Sequence, residues 1–278
     1  MKDLPKRTLT AVVFAGVLLF LIYYSFYTFL LLLLIISIGG LFELFNLFSK
    51  TQFHLNTKFL VIKSVISILF LLYPVFDDKV NFSDVQLIVL SGLVIITFLE
   101  FLLRNNFAES ISELFALLYL ILLVMSGLDI FYFLNQREYQ YLLILSVVLM
   151  IWANDTFAYF TGSLLGKRKL MPDVSPKKSV EGFIGGIIFS LITGYLCYTY
   201  FLKDLQKWTI LDVMIISLIV SIAGTFGDLL ESKLKRMANV KDSGNLLPGH
   251  GGILDRFDSW FMALPVISLY LHLKVVFF

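Results

Sequence analysis

Charge is scarce in this sequence, and cysteine is scarcer still. Asp, Glu, Lys and Arg make up 15% of its 278 residues, against about 25% in soluble globular domains. The single cysteine, Cys197, excludes an intramolecular disulfide and any cysteine-based metal site, and its apolar surroundings make it a small buried hydrophobe. Net charge is only +2, and nothing in the chain points to nucleic acid as a partner. No internal repeat, low-complexity tract or soluble domain stands out. Lys2, Lys6 and Arg7 precede an apolar run, as in a signal peptide. No small-residue cleavage site follows and further apolar runs do, so the run reads as a retained first helix.

What fills the chain is hydrophobic: 59% of its residues, 28 of them Phe. A soluble fold of this length has no interior for so much apolar surface. A bilayer accepts it, because a spanning helix needs only about 20 mostly apolar residues. The fold class is therefore all-α, a polytopic transmembrane helix bundle of about nine spans. They fall near 8–24, 26–48, 58–76, 85–103, 110–129, 140–163, 182–202, 209–227 and 256–277, with the break near Ser25 the least marked. With nine spans and a cytoplasmic N-terminus, sixteen of the 22 Lys and Arg residues fall on the inside, as the positive-inside rule expects. Residues 1–135 form nearly featureless hydrophobic helices. Residues 136–278 hold the dense polar clusters and two cytoplasmic loops, 164–181 and 228–255.

Two regions carry chemistry. In the first, Asp155 interrupts an apolar span, and the loop after it runs Gly166-Lys167-Arg168-Lys169 to Ser175-Pro176-Lys177-Lys178-Ser179-Val180-Glu181-Gly182. An ionised acid in a membrane costs a few kcal/mol or more unless it is paired or faces water, so Asp155 is either a polar helix contact or part of a site. The basic loop is either a topology determinant or, given its Gly and Pro, a shaped loop in which backbone N–H groups and Lys178 hold phosphate oxygens.

The second region runs from Asp228 to Asp258. If 228–236 is helical, Asp228, Glu231, Ser232 and Lys235 share one face, suited to a hard cation and a phosphate. Glu231 and Lys235 also suit a plain surface ion pair. Asp255 and Asp258 stand three apart at the start of the last span, after a Pro248-Gly249-His250-Gly251-Gly252 turn. Converging carboxylates repel one another, and Mg²⁺ removes that cost while using substrate phosphates as further ligands. His250 is either a phosphate contact or an ordinary loop residue.

The run Ser232-Lys-Leu-Lys235-Arg236, Lys241-Asp242-Ser243-Gly244 and Leu247-Pro-Gly-His250-Gly-Gly-Ile-Leu-Asp255-Arg256-Phe-Asp258 closely resembles the signature of the phosphatidate cytidylyltransferases, also called CDP-diacylglycerol synthases. Asp155-Thr156, Gly166-Lys167, Ser175-Pro-Lys-Lys178 and Glu181-Gly182 look like a second block of that family. Ser163 departs from it, standing where many members carry a basic residue. The resemblance covers residues 150–278.

It implies transfer of the cytidylyl group of CTP to phosphatidate, with Mg²⁺ required and a second cation compatible with the number of acids. It implies catalytic roles for Asp228, Asp255, Asp258, Lys235 and Arg256. Substrate phosphates would meet Lys167, Ser175, Lys178, Ser232, Arg236, Lys241 and His250, and metal would meet Asp228, Asp255, Asp258, Asp155 and Glu231. The expected setting is a bacterial cytoplasmic membrane, with membrane lipids around a homodimer and a polar cavity open to cytoplasm and bilayer. A transporter also explains intramembrane acids, but not so many charges in one stretch. A CDP-alcohol phosphotransferase would need an Asp-Gly-x-x-Ala-Arg element that the sequence lacks.

Overall fold

A computed structural model describes residues 4–51, 55, 57–76, 80–104, 107–132, 141–205, 207–244 and 251–277. Helices α1 (Leu4–Tyr24) to α5 (Phe107–Tyr132) include α2 (Phe26–Phe48), α3 (Thr57–Phe76) and α4 (Phe82–Arg104). Then come α6 (Tyr141–Leu165), strands β1 (Lys169–Met171) and β2 (Ser175–Ser179), and α7 (Val180–Cys197), which unwinds through a π turn at Tyr198–Leu202. The chain closes with α8 (Ile210–Met237), a single turn α9 (Leu254–Phe257) and α10 (Trp260–Phe277).

Among the described residues, seven helices are long and apolar enough to cross a membrane, and α1 and α10 contribute shorter apolar stretches. The seven fall at seven of the expected spans, and the two shorter stretches lie at the first and the last. The chain is an integral membrane protein. Large apolar side chains such as Phe70 and Leu103 point outward from α3 and α4, an arrangement suited to an apolar surrounding rather than to water.

Local chemistry explains several boundaries. The break at Ser25 is real: its backbone is extended, its hydroxyl accepts from Thr28 N–H at 3.2 Å, and Thr28 Oγ1 accepts from Ser25 N–H at 3.1 Å. This reciprocal capping starts α2 independently of α1. Thr209 and Asp212 cap α8 in the same way.

Three features differ from the sequence reading. The 164–181 loop contains a two-stranded antiparallel hairpin, a small addition to the helical bundle. The 228–255 stretch is not loop throughout, because α8 continues to Met237. Asp228 therefore lies inside a helix rather than at its start. The last span is also broken, since α9 and α10 are separated by the turn at Asp258 and Ser259.

Helix α6 packs along α7, α8 lies between α7 and α10, and α10 joins this group to α5, which packs on α2. Phe157 stacks on Phe189 with ring centres 3.6 Å apart, and Tyr119 of α5 stacks on Phe261 of α10 at 4.4 Å. At one end of the bundle, Asp212 accepts from Lys274 at 2.6 Å and Tyr270 at 2.7 Å, fastening α8 to α10. The hairpin, the end of α8 and α9 gather at the opposite end.

Candidate active site

At that end lies a cavity of about 900 Å³, walled by α1, α6, the hairpin, α7, α8 and the α9 turn. Asp155, Lys178, Asp228, Asp255, Arg256 and Asp258 all line it. The two polar regions, some 50 to 100 residues apart in sequence, thus share one chamber. Ala11, Phe14 and Ala15 of α1 supply an apolar part of its wall.

The acids meet because α8 and the α9–α10 break approach closely. Gly227 makes this possible: a Cβ there would stand 2.5 Å from the Asp258 carbonyl oxygen. One carboxylate oxygen each from Asp228, Glu231 and Asp258 then lies within 4.8 Å of the others. Glu231 is fully buried and ion-paired with Lys235 at 2.5 Å. Asp228 is ion-paired with Lys178 of β2, and Ser232 Oγ donates to it at 3.3 Å. Three hard oxygen donors, even with Lys178 and Lys235 paired to two of the acids, are a donor set suited to Mg²⁺. Asp155 sits on the cavity wall beside this trio, its Oδ1 accepting from Asn154 Nδ2 at 3.1 Å.

Asp255 belongs to a different set of contacts. Its Oδ1 accepts from Lys235 Nζ at 2.7 Å, and its Oδ2 from Gly252 N–H at 2.8 Å and Ser243 N–H at 2.9 Å. Burial opposes its ionised form, but Lys235 and these two N–H groups outweigh it and hold the carboxyl down at about 2. The shared helix face expected of Asp228, Glu231, Ser232 and Lys235 is present, with Lys235 bridging Glu231 to Asp255.

The remaining expected residues are spread more widely. Arg236 is exposed and donates to the Val174 carbonyl at 3.4 Å, tying α8 to the hairpin turn. Lys167 is exposed, and its backbone N–H donates to Glu181 at 3.0 Å. Ser175 opens β2 opposite Met171, and Lys241 is exposed beyond α8. His250 lies outside the described residues.

Sequence reasoning passed over Glu43 of α2. It is 2% exposed and accepts from Ser243 Oγ at 2.7 Å, Ile253 N–H at 2.8 Å and Leu254 N–H at 2.9 Å. The signal was available: Glu43 interrupts Leu41-Phe42 and Leu44 in the same way that Asp155 interrupts its own span.

A polytopic bundle with an acid-and-lysine chamber at one end defines a class of membrane-embedded protein acting on charged groups. The cytidylyltransferase family model matches residues 5–274, and the chain belongs to that family. Its curated relatives are named phosphatidate cytidylyltransferase. That of Staphylococcus epidermidis (strain ATCC 12228 / FDA PCI 1200) is 38% identical over 218 residues, covering 77% of this chain and 81% of the relative. That of Staphylococcus aureus (strain COL) is 41% identical over 192 residues, covering 67% and 71%. That of Staphylococcus haemolyticus (strain JCSC1435) is 46% identical over 145 residues, covering 52% and 55%. The chain is an enzyme of the nucleotidyltransferase class, which removes the transporter alternative.

Proposed function

We propose that this enzyme transfers the cytidylyl group of CTP to phosphatidate, releasing pyrophosphate and forming CDP-diacylglycerol for phospholipid synthesis. The observation that carries the reading is the convergence of Asp228, Glu231 and Asp258, with Lys178 and Arg256, in one chamber at the end of a membrane bundle. Both substrates are anions, so the site must neutralise charge before it can align them.

The lipid phosphate is a monoester whose second pKa is about 6. It is already nucleophilic at neutral pH, and no general base is required. Its oxygen attacks the α-phosphorus of CTP, a new P–O bond forms, and the bond to the β-phosphate breaks with pyrophosphate as leaving group. Lys178 and Arg256 stand at the wall where those phosphates would lie. Lys235 bridges Glu231 and Asp255, which holds the acidic face in place. Ser175, Ser232, Lys167, Arg236, Lys241 and His250 would serve as secondary phosphate contacts.

Asp228, Glu231 and Asp258 would hold Mg²⁺, with Asp155 beside them for a second cation and Asp255 supporting from behind. Bound there, Mg²⁺ supplies Lewis-acid polarisation of phosphoryl oxygens. The positive-inside rule puts the Lys-rich hairpin end in the cytoplasm of a bacterial inner membrane, where CTP is supplied. The apolar wall from α1 suits the lipid, which arrives laterally. Exposed apolar faces on α3 and α4 suit a homodimer as well as lipid.

Purified enzyme incubated with labelled CTP and phosphatidate, with and without Mg²⁺, tests the reading. Labelled CDP-diacylglycerol forming only with both substrates and Mg²⁺ is expected. Product absent under all conditions would overturn it.

A further inference from the structure

We infer that Glu43 is a positioning residue for the reaction, linking the N-terminal helices to the acids of the site through the loop between α8 and α9. The inference rests on the proposed function, because it concerns the same chamber. It begins from burial. A carboxylate 2% exposed in a membrane helix is costly unless its oxygens are satisfied, and those of Glu43 are satisfied from a single distant segment.

Glu43 Oε2 accepts from Ser243 Oγ at 2.7 Å and Leu254 N–H at 2.9 Å, while Oε1 accepts from Ile253 N–H at 2.8 Å. These partners lie 200 to 211 positions away in the chain. Ser243 lies six residues beyond the end of α8, and Ile253 and Leu254 stand at the start of α9, so a single side chain holds both places. The loop is shaped to receive it. A Cβ on Gly244 would stand 2.5 Å from Glu43 Oε1, and a Cβ on Gly252 would strike the same carboxylate.

Ser243 then passes the constraint on. Its N–H donates to Asp255 at 2.9 Å, and its hydroxyl stands 3.0 Å from the same oxygen. That hydroxyl has one proton. Asp255 Oδ2 already accepts two N–H bonds, so the proton goes to Glu43. Asp255, Arg256 and Asp258 follow within five residues of Ile253. Their placement against Asp228 and Glu231 is therefore set from α2 as well as from α8.

The test uses full-length enzyme in detergent with CTP, phosphatidate and graded Mg²⁺. Glu43→Gln keeps the size of the side chain but loses acceptor capacity at one oxygen. Misplacement of reacting groups from a distance costs on the order of 100-fold in rate, and loss of supporting contacts around a metal costs roughly 10- to 100-fold in affinity. Glu43→Gln is expected to lower kcat by about 100-fold and raise the half-saturating Mg²⁺ concentration by about 10-fold, with a thermal midpoint near wild type.

Ser243→Ala, which removes one donor, is expected to shift both quantities the same way by less. Combined with Glu43→Gln it should add little. Should Glu43→Gln not fold, Ser243→Ala alone decides. A folded variant of either kind with wild-type kcat and Mg²⁺ dependence overturns the inference, as does a loss of rate that merely tracks loss of folded protein. Wild-type enzyme without product formation overturns the proposed function instead.

Discussion

Lys178, on the second strand of the hairpin, is ion-paired with Asp228, more than halfway along α8. The pair joins the two polar regions of the sequence across the chamber, and it leaves the lysine at the wall where a phosphate would arrive. Replacing Lys178 with Ala should lower kcat/KM by about 10² to 10³-fold, the usual cost of losing one preorganised charge-stabilising donor. Lys178→Arg should recover part of that loss. Steady-state kinetics in micelles measures both, and a Lys178→Ala enzyme within threefold of wild type would remove the lysine from the mechanism.

Asp258 shares its trio with Asp228 and Glu231. Asp258→Asn should abolish product formation while leaving membrane insertion intact. The same variant should lose the stabilisation that Mg²⁺ gives to the wild-type protein, which at 100 times the dissociation constant amounts to about 2.7 kcal/mol. Thermal unfolding with Mg²⁺ and with a chelator reads this separately from activity. A Mg²⁺-dependent midpoint that survives in Asp258→Asn would place the ion elsewhere.

The carboxyl of Asp255 is held at about 2, below its ordinary 3.8. A depressed carboxylate adds stability above the unfolded value and loses it as pH falls through the folded one. Asp255→Asn should therefore be about 2 kcal/mol less stable than wild type at pH 7, and the difference should shrink between about pH 4 and pH 2. Chemical unfolding across that range checks the sign, and a pH-independent difference would contradict it.

Helices α6 and α7 pack through glycine. A Cβ on Gly182 would lie 2.7 Å from the Ala158 carbonyl and 3.1 Å from Gly162 Cα. Both neighbours are backbone, so neither can yield by a side-chain rotation. Gly182→Ala should cost about 1 to 3 kcal/mol, as overpacking does elsewhere, and should displace the hairpin that carries Lys178. The yield of folded protein and its thermal midpoint are the measurements.

Much of the bundle was legible in the sequence because a spanning helix announces itself by length and apolarity alone. The positions of all nine apolar segments follow from that rule, and the acids near Asp228 and Asp258 follow from their cost in a membrane. What sequence did not separate was which acids meet. Asp255 and Asp258 look equivalent at a spacing of three, yet Asp258 joins Asp228 and Glu231 whereas Asp255 is bound to Lys235 and the loop backbone. The difference lies in their neighbours: Lys235 and the N–H groups of Ser243 and Gly252 take up Asp255, whereas Gly227 lets the backbone at Asp258 come up against α8. Glu43 announces itself as an acid within an apolar run, but its partners, two backbone N–H groups and the Ser243 hydroxyl, lie 200 or more residues away and no spacing pattern encodes them.

Lys63 of α3 donates to Glu100 of α4 and Glu113 of α5, each at 2.6 Å, in the buried interior of the N-terminal half. The trio bears on how the chain is made. A lysine at the centre of an inserting helix costs roughly 2.5 to 3.5 kcal/mol on its own, and its two partners are synthesised 37 and 50 residues later. During synthesis the charge on Lys63 stays without these two partners until α4 and α5 emerge, so the three helices reach their final packing together only once residue 113 has been made.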